Sequence, residues 1–124
     1  MTARRRVLLA VGLALIVAAW VMISSTQRGL IVRDVSANGI PMRYMAPADA
    51  PAPVPGVVVA HGFAGSKQLM LGYAYTLAHA GYATLVFDFN GHGANPAALD
   101  RDALSGNIAA ATAQLVNQPE VDAS

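Results

Sequence analysis

Cysteine is absent from this chain of 124 residues. Its absence excludes disulfide bonds, thiolate metal sites and a cysteine nucleophile. Charged residues are also scarce, at 12% of the chain. The basic residues cluster only at Arg4–Arg6, whereas all seven acidic residues lie at or beyond Asp34, so the rest of the chain carries a small net negative charge. Without a basic face, or Lys and Arg interleaved with aromatic residues, nucleic-acid binding is not expected.

The apolar residues are concentrated near the N-terminus. Hydrophobic residues make up 55% of the chain, and Val7–Ile23 is an unbroken apolar run directly after Arg4–Arg6. As a helix this run is about 25 Å long at 1.5 Å per residue, near the lower limit for crossing a bilayer. So uniform a run after three arginines argues against the buried helix of a soluble protein.

Two interpretations of segment 1–25 stay open, a single-pass membrane anchor and a cleaved secretory signal. The run is longer than the apolar centre of a typical signal, Trp20 suits the membrane interface, and Ile23–Thr26 is a poor cleavage site. These features favour the anchor. Because Arg4–Arg6 should stay in the cytoplasm, we expect residues 26–124 to form a domain on the outer side of the cytoplasmic (inner) membrane. Cleavage would instead release this domain as a secreted protein.

Two short strands are predicted after this segment. Leu30–Ser36 and Ile40–Ala46 are rich in strand-forming residues, and Asn38-Gly39 between them is a strong hairpin signal because both residues tolerate positive φ. Pro41 lacks an N–H and favours an edge position for part of the second strand. Pro47–Pro55 predicts an extended surface linker.

Two strand–helix units are predicted next. Gly56–Ala60 and Ala83–Phe89 are apolar runs typical of strands covered on both faces. Between them, a helix is capped by Ser66 and followed by Gly81. A second helix covers Ala103–Asn117, and the order strand, helix, strand indicates a parallel sheet. The apolar helix positions are Met70, Tyr73, Ala74 and Leu77, then Leu104, Ile108, Ala111 and Leu115. The end signals of the second helix are Asp100 or Asp102 as its cap and Pro119 beyond it.

The most informative motifs are the loops that follow these two strands. The first contains His61-Gly62-Phe63, and the second, about 25 residues later, is Asp88-Phe89-Asn90-Gly91-His92-Gly93. In this order and context the sequence resembles the α/β-hydrolase superfamily, in which a His-Gly-x turn follows the third strand and Asp-x-x-Gly-His-Gly follows the fourth. The resemblance covers roughly Leu30 to the C-terminus. It implies an α/β fold, the N-terminal part of a hydrolase sheet (hairpin, then strand–helix–strand–helix), behind a single N-terminal transmembrane helix.

The resemblance also implies roles for residues in both loops. Acyl transfer builds negative charge on a carbonyl oxygen, and a preorganised backbone N–H at that point lowers the barrier. By the resemblance this donor is the N–H of Phe63, with Gly62 permitting the sharp turn. His61 and His92 are expected to be structural, because the family's catalytic histidine lies far downstream. The residues expected to shape the loops are His61, Gly62, Asp88, Gly91, His92 and Gly93.

The nucleophile of such an enzyme is missing. Gly-x-Ser-x-Gly between a strand and a helix occurs nowhere in the sequence. Ser66 is better explained as a helix cap, and Ser105 falls in the middle of a predicted helix. In the family, the strand leading to the nucleophile follows a helix like Ala103–Asn117. We therefore expect residues 26–124 to be an incomplete hydrolase domain that is inactive by itself.

The functional expectation is the N-terminal fragment of a membrane-anchored serine hydrolase, of the esterase, lipase or peptidase kind. The expected partners are the membrane and, at full length, a small-molecule or peptide acyl substrate, and the oligomeric state stays open. No cofactor or metal is expected. Gly91–Pro96 opens like a dinucleotide fingerprint but lacks its third glycine and follows a later strand. The alternative is a small membrane-anchored, non-catalytic binding protein built on part of the hydrolase fold.

Overall fold

The computed structural model of the protein describes residues 2–124, so that Met1 of the predicted N-terminal segment lies outside the described residues. Residues 2–124 form three helices and four strands. In chain order they are α1 (Ala3–Ser25), β1 (Leu30–Ala37), β2 (Ile40–Pro47), β3 (Gly56–Val59), α2 (Lys67–His79), β4 (Ala83–Phe87) and α3 (Leu104–Val116).

Helix α1 contains the apolar run and stands apart from the rest of the fold. None of its residues is buried, and its most apolar stretch has a mean hydropathy of 2.7. The helix is long and apolar enough to cross a membrane, a property that signal sequences share. Two contacts connect the turn after α1 to α2. The amide of Gln27 donates to the hydroxyl of Tyr75 (3.1 Å), and the Thr26 carbonyl lies 2.8 Å from Nε2 of His79.

The four strands form one sheet in the order β1-β2-β4-β3. β1 and β2 pair as the predicted hairpin, with Asn38 and Gly39 at φ of 52° and 76° in its turn. β2 pairs antiparallel with β4, whereas β3 and β4 are parallel, as the strand–helix–strand order predicted. β3 is consequently an edge strand. Its three valines are only half-buried, whereas every residue of β4 is buried.

Helices cover both faces of the sheet, α3 on one side and α2 on the other. Alternate residues of a strand point to opposite faces. In β4, Leu85 and Phe87 face α3, whereas Val86 faces α2. The buried cluster under α3 comprises Ile40, Met42, Tyr44, Ala46, Ala83, Leu85, Phe87, Ala111, Leu115 and Val121. The smaller cluster under α2 comprises Met45, Ala74, Ala78 and Val86. The result is a three-layer α/β arrangement.

Two predictions about the strands are corrected. The fourth strand was expected to reach Phe89 but ends at Phe87, because Pro41, opposite Asp88, has no N–H to return a bond and the N–H of Phe89 bonds to a side chain. The N–H of Asp88 donates to the Pro41 carbonyl (3.1 Å), and that of Phe89 to the ring of His61 (3.2 Å). Pro41 does not place β2 at an edge. It lies opposite Asp88, one residue beyond the Met42–Phe87 pair, and because it has no N–H it accepts a bond from Asp88 but cannot return one, so the ladder ends there.

The predicted helices exist, but their caps and buried faces differ in part. Gly81 follows α2 at φ 102°, as expected of a residue after a helix C-terminus. Ser66 occupies the N-cap position of α2 without a capping hydrogen bond. Neither predicted aspartate caps α3, whose N-cap residue is Ala103. Tyr73 and Ile108 were predicted to be apolar core positions but are exposed, whereas two polar residues, Lys67 and Asn107, are buried.

The predicted surface linker is held to the domain at its C-terminal end. Val54 forms a parallel bridge with Val121 and packs on the core under α3. Next to it, Glu120 receives a two-pronged ion pair from Arg33 of β1 and the hydroxyl of Tyr44 of β2 (3.0 Å). The guanidinium of Arg33 holds the pKa of Glu120 below its ordinary value. This cluster attaches the segment after α3 to the hairpin.

Candidate functional site

The two loops that carry the motifs lie side by side because β3 and β4 are parallel neighbours whose carboxyl ends meet at one edge of the sheet. Three aromatic contacts join them. The ring of His61 lies 5.1 Å from that of Phe89 and 5.2 Å from that of His92, and the ring of Phe63 lies 5.8 Å from that of His92. The structure therefore brings the predicted residues of the two motifs together.

His61 is buried and uses both ring nitrogens. Nδ1 lies 2.8 Å from the carbonyl oxygen of Gly62, and Nε2 accepts the N–H of Phe89 at 3.2 Å. Because Nε2 accepts, the proton must be on Nδ1, which donates to the carbonyl. The ring is therefore a neutral bridge between the loops, with no nitrogen left to act as a base. This geometry agrees with a structural role for His61. That His61 takes no part in catalysis stays a prediction.

Residues 62–65 form a tight turn. The N–H of Gly65 donates to the carbonyl of Gly62 (3.0 Å), and Ala64 has a positive φ of 59°. This is the pattern of a type II turn, with Phe63 at its second position and Ala64 at its third. Gly65 must be small, since a Cβ there would lie 2.9 Å from the Gly62 carbonyl oxygen.

Phe63 projects from this turn with its side chain 83% exposed. Within residues 2–124 its backbone N–H donates to no protein acceptor. An N–H without a protein partner on an exposed turn can donate to water or to a ligand. The N–H of the predicted oxyanion donor is therefore not used within the described residues, and its role stays a prediction.

The second loop depends on two glycines with positive φ. Gly91 has φ 75°, and a Cβ there would lie 2.6 Å from Cβ of Leu99. Gly93 has φ 53°, and its Cβ would lie 2.5 Å from Cγ of Asp88. Between them, Nδ1 of His92 lies 3.0 Å from the Asn90 carbonyl, which fixes the ring. These contacts give a physical reason for the Gly-His-Gly pattern.

Asp88 lies at the end of β4 with its side chain completely buried. Its carboxylate accepts the N–H of Lys67 (2.7 Å), the ammonium of Lys67 (2.6 Å) and the N–H of Ala94 (3.0 Å). Burial alone would raise the pKa of Asp88, but the hydrogen bonds and charge of Lys67 and the N–H of Ala94 outweigh it and hold the pKa below its ordinary value. The carboxylate is therefore ionised and bonded to both loops.

Sequence reasoning missed three polar residues of this site. Nothing in the local sequence indicates that Lys67 is buried, because a lysine in the first turn of a helix is usually solvated. Asn95 donates to the Asp88 carbonyl (2.9 Å), and Asn107 accepts the N–H of Asn90 (3.0 Å). A signal existed only for Asn107, which follows Leu104 at a spacing of three and so falls on the apolar face of α3.

A pocket of about 260 Å³ opens between the two loops and the start of α3. Its walls are mainly aromatic and aliphatic, with Arg101 at the rim. The lining residues are His61, Gly62, Phe63, Phe89, His92, Leu99, Arg101 and Leu104. No Ser or Thr hydroxyl in the described part of the chain is hydrogen-bonded to a histidine, and no cluster of metal-ligating side chains occurs there.

Comparison with known proteins finds likeness in structure only. No protein-family model and no curated protein matches the sequence. A hypothetical protein, PA2218 from Pseudomonas aeruginosa, is 24% identical with a TM-score of 0.66, covering 77% of this chain and 33% of that one. A dienelactone hydrolase-like promiscuous phosphotriesterase, P91 from metagenomic libraries, is 27% identical with a TM-score of 0.59, covering 77% and 46%.

A third structure, described as a membrane phospholipase A and bacterial virulence factor, is 22% identical with a TM-score of 0.50. It covers 91% of this chain and 41% of its own. The chain thus spans a third to less than half of the length of these structures. The matched parts cover between 77% and 91% of this chain. The chain accordingly has an α/β-hydrolase fold over its matched part and is related to that superfamily.

Proposed function

We propose that this chain supplies the oxyanion loop of a membrane-anchored serine hydrolase, which cleaves ester or peptide bonds by acyl transfer with a nucleophile outside these 124 residues. One observation carries the proposal. The N–H of Phe63 has no partner within residues 2–124, on a hydrogen-bonded turn at the mouth of an apolar pocket. A donor held in this way needs no reorganisation when a carbonyl oxygen becomes negative.

The pocket supports the same proposal. Its walls are mainly apolar, so an acyl group bound there would displace water, and a hydrogen bond in a space without water is worth more than one in water. An acyl group in the pocket would place its carbonyl oxygen near the turn. Removing one oxyanion donor typically lowers the rate about 10²–10³-fold, and this is the size of effect that we assign to Phe63.

The free edge of β3 provides the second support. The N–H and C=O groups on its outer side have no strand to pair with, and Val57–Val59 are only half-buried. An edge of this kind is a template for another strand. In the α/β-hydrolase superfamily the strand that carries the nucleophile lies beside this one, which would bring the nucleophile to the same end of the sheet as Phe63.

The membrane part of the proposal rests on α1. Its apolar surface is entirely exposed, and Arg4–Arg6 form its first turn. Exposing so many large apolar side chains to water is unfavourable, whereas a lipid environment buries them. We assign α1 to an uncleaved anchor, with the α/β part on the outer side of the cytoplasmic membrane. Cleavage of α1 as a signal is the competing possibility.

The activity test uses the chain by itself and the product of the reading frame continued beyond Ser124. We expect the chain alone to leave p-nitrophenyl acetate untouched above a buffer control, and the longer product to hydrolyse it. Hydrolysis by the chain alone would contradict the external nucleophile. A longer product without Gly-x-Ser-x-Gly would contradict the enzyme and favour a non-catalytic binding protein.

In the longer product, Phe63→Pro and Phe63→Ala separate the N–H from the side chain. Proline is favoured at the second position of a type II turn, so Phe63→Pro should keep the turn and remove only the N–H. We expect it to lower kcat/KM about 10²–10³-fold, and Phe63→Ala, which keeps the N–H, to cost much less. Equal losses in two equally folded variants, checked by circular dichroism, would show that Phe63 acts through its side chain.

A further inference from the structure

Helix α2 is capped by a residue from another part of the chain. The first N–H groups of a helix have no partner within the helix, and Ser66 at the N-cap makes no side-chain hydrogen bond. The first turn also contains no acidic residue. Asp88, directly after β4, takes over this function by accepting the N–H of Lys67 at 2.7 Å. A carboxylate at this end of a helix is also favoured by the helix dipole.

The side chain of Lys67 returns to the same carboxylate. Its ammonium lies 2.6 Å from Oδ2 of Asp88, and the two side chains are 8% and 0% exposed. A buried ion pair costs much desolvation and contributes little net stability compared with an apolar pair of the same size. Its main effect is on geometry. The N–H and the ammonium of Lys67, together with the N–H of Ala94, hold the Asp88 carboxylate in one position.

The turn that contains Phe63 is thereby attached at both ends to the segment that follows β4. At its start, the ring of His61 accepts the N–H of Phe89 (3.2 Å). At its end, Lys67 binds Asp88 through main chain and side chain. Between these points the turn is tightened by the bonds that the Gly62 carbonyl accepts.

We infer that the Lys67–Asp88 pair is a positioning element, which holds the end of the turn so that the Phe63 N–H keeps a fixed direction toward the pocket. Lys67 touches no reacting atom in this role and acts through the turn. The role of the Phe63 N–H as an oxyanion donor rests on the proposed function. The positioning role of the ion pair does not, because it concerns only the order of the turn. The neutral bridge of His61 holds the start of the turn and is left intact when the ion pair is changed.

The test measures backbone order at Phe63 and Ala64 by ¹⁵N relaxation, with the full chain in detergent micelles. In the wild type we expect order parameters near 0.85, typical of rigid backbone, and in Lys67→Met values below about 0.6. Residues Val58 and Leu85 in the sheet report whether the fold is kept. Gln68→Met puts the same side chain one position along on an exposed site, and it should leave the turn unchanged.

A second variant covers the case in which Lys67→Met fails to fold because Asp88 is left unpaired. The double variant Lys67→Met/Asp88→Asn removes both charges, so no unpaired charge is buried, while the loss of order at Phe63 should remain. An unchanged order parameter at Phe63 in either folded variant would overturn the positioning role, even with lower stability. A turn that is disordered in the variants, together with a wild-type longer product that is inactive, would leave the positioning role in place. It would contradict only the proposed function.

Discussion

Gly93 is a position at which a single added methyl group should damage the site. It has φ 53°, and a Cβ there would lie 2.5 Å from Cγ and 2.6 Å from Oδ2 of Asp88. A left-handed backbone costs an alanine about 1–2 kcal/mol. The carboxylate must also move away from Lys67 and Ala94, and breaking a buried ion pair costs about 3–5 kcal/mol. Because part of this pair can re-form after the shift, we expect Gly93→Ala to lower the free energy of unfolding by about 3–5 kcal/mol in total.

Gly106 in α3 is the matched control. It is the third residue of α3, and a Cβ there meets nothing within 4 Å, so Gly→Ala should stabilise by at most the value of about 0.5–1 kcal/mol that holds for a helix interior. The same substitution should therefore act in opposite directions at the two sites. Trp20, the single tryptophan, lies in α1 and does not report on the α/β part. The tyrosine near-ultraviolet circular dichroism of the full chain in micelles is the better probe, because Tyr44 is fully buried.

The measurement is urea unfolding with the midpoint and the slope fitted separately. A change of midpoint at constant slope reports stability alone. If Gly93→Ala stayed within about 1 kcal/mol of the wild type while Gly106→Ala was stabilised as expected, the Asp88 carboxylate could not occupy the space assigned to it. Losses of similar size in both variants would instead show a general sensitivity of the fold to added volume.

Three further predictions concern charge and topology. The pKa of Asp88 in the folded protein lies below its ordinary 3.8. The ionised carboxylate therefore stabilises the fold fully above pH 3.8, and this stabilisation is lost as the pH falls through the lower folded pKa. Acid titration of the near-ultraviolet circular dichroism should show the loss, and Asp88→Asn should make the titration curve flatter. Glu120→Gln weakens the partly exposed ion pair with Arg33 and should lower the free energy of unfolding in urea by about 1 kcal/mol. Asp34→Asn, at a carboxylate that is 68% exposed, should lower it by almost nothing. Equal losses would contradict the idea that burial makes the Glu120 pair the stronger one. A reporter fused after Ser124 should work only if it is active outside the cytoplasm, and cytoplasmic activity would contradict the orientation.

The predictions that the structure confirmed rest on local signals. Asn38-Gly39 specifies its turn because both residues accept positive φ, and Gly81 ends α2 for the same reason. The apolar runs in β3 and β4 predicted parallel strands covered on both faces; the parallel pairing is confirmed for both and the burial only for β4, since β3 is half-buried. Each of these signals depends on a few neighbouring residues, so the linear sequence contains all of the necessary information.

The boundaries and caps were less accessible to sequence reasoning. β4 was expected to continue to Phe89 because its side chain is apolar, yet the Phe89 N–H bonds to His61, which is distant in the chain. Ser66 has the right residue type for a cap but makes no capping bond, since Asp88 already accepts the N–H of Lys67. Residue preferences describe what a segment tends to do alone, and a stronger partner elsewhere in the chain overrides them.

The sequence by itself determined the element order, the two motif-bearing loops and the choice of Phe63 as the candidate donor. Only the tertiary structure decided that Lys67 is buried against Asp88 and that His61 is a neutral bridge with no free nitrogen. The physical reason is distance along the chain. Lys67 and Asp88 are 21 residues apart. Asp88 falls in the apolar run that predicted a buried strand, but nothing in the local sequence identifies Lys67 as its partner, so their pairing follows only when the parallel strands bring the two loops to one edge of the sheet.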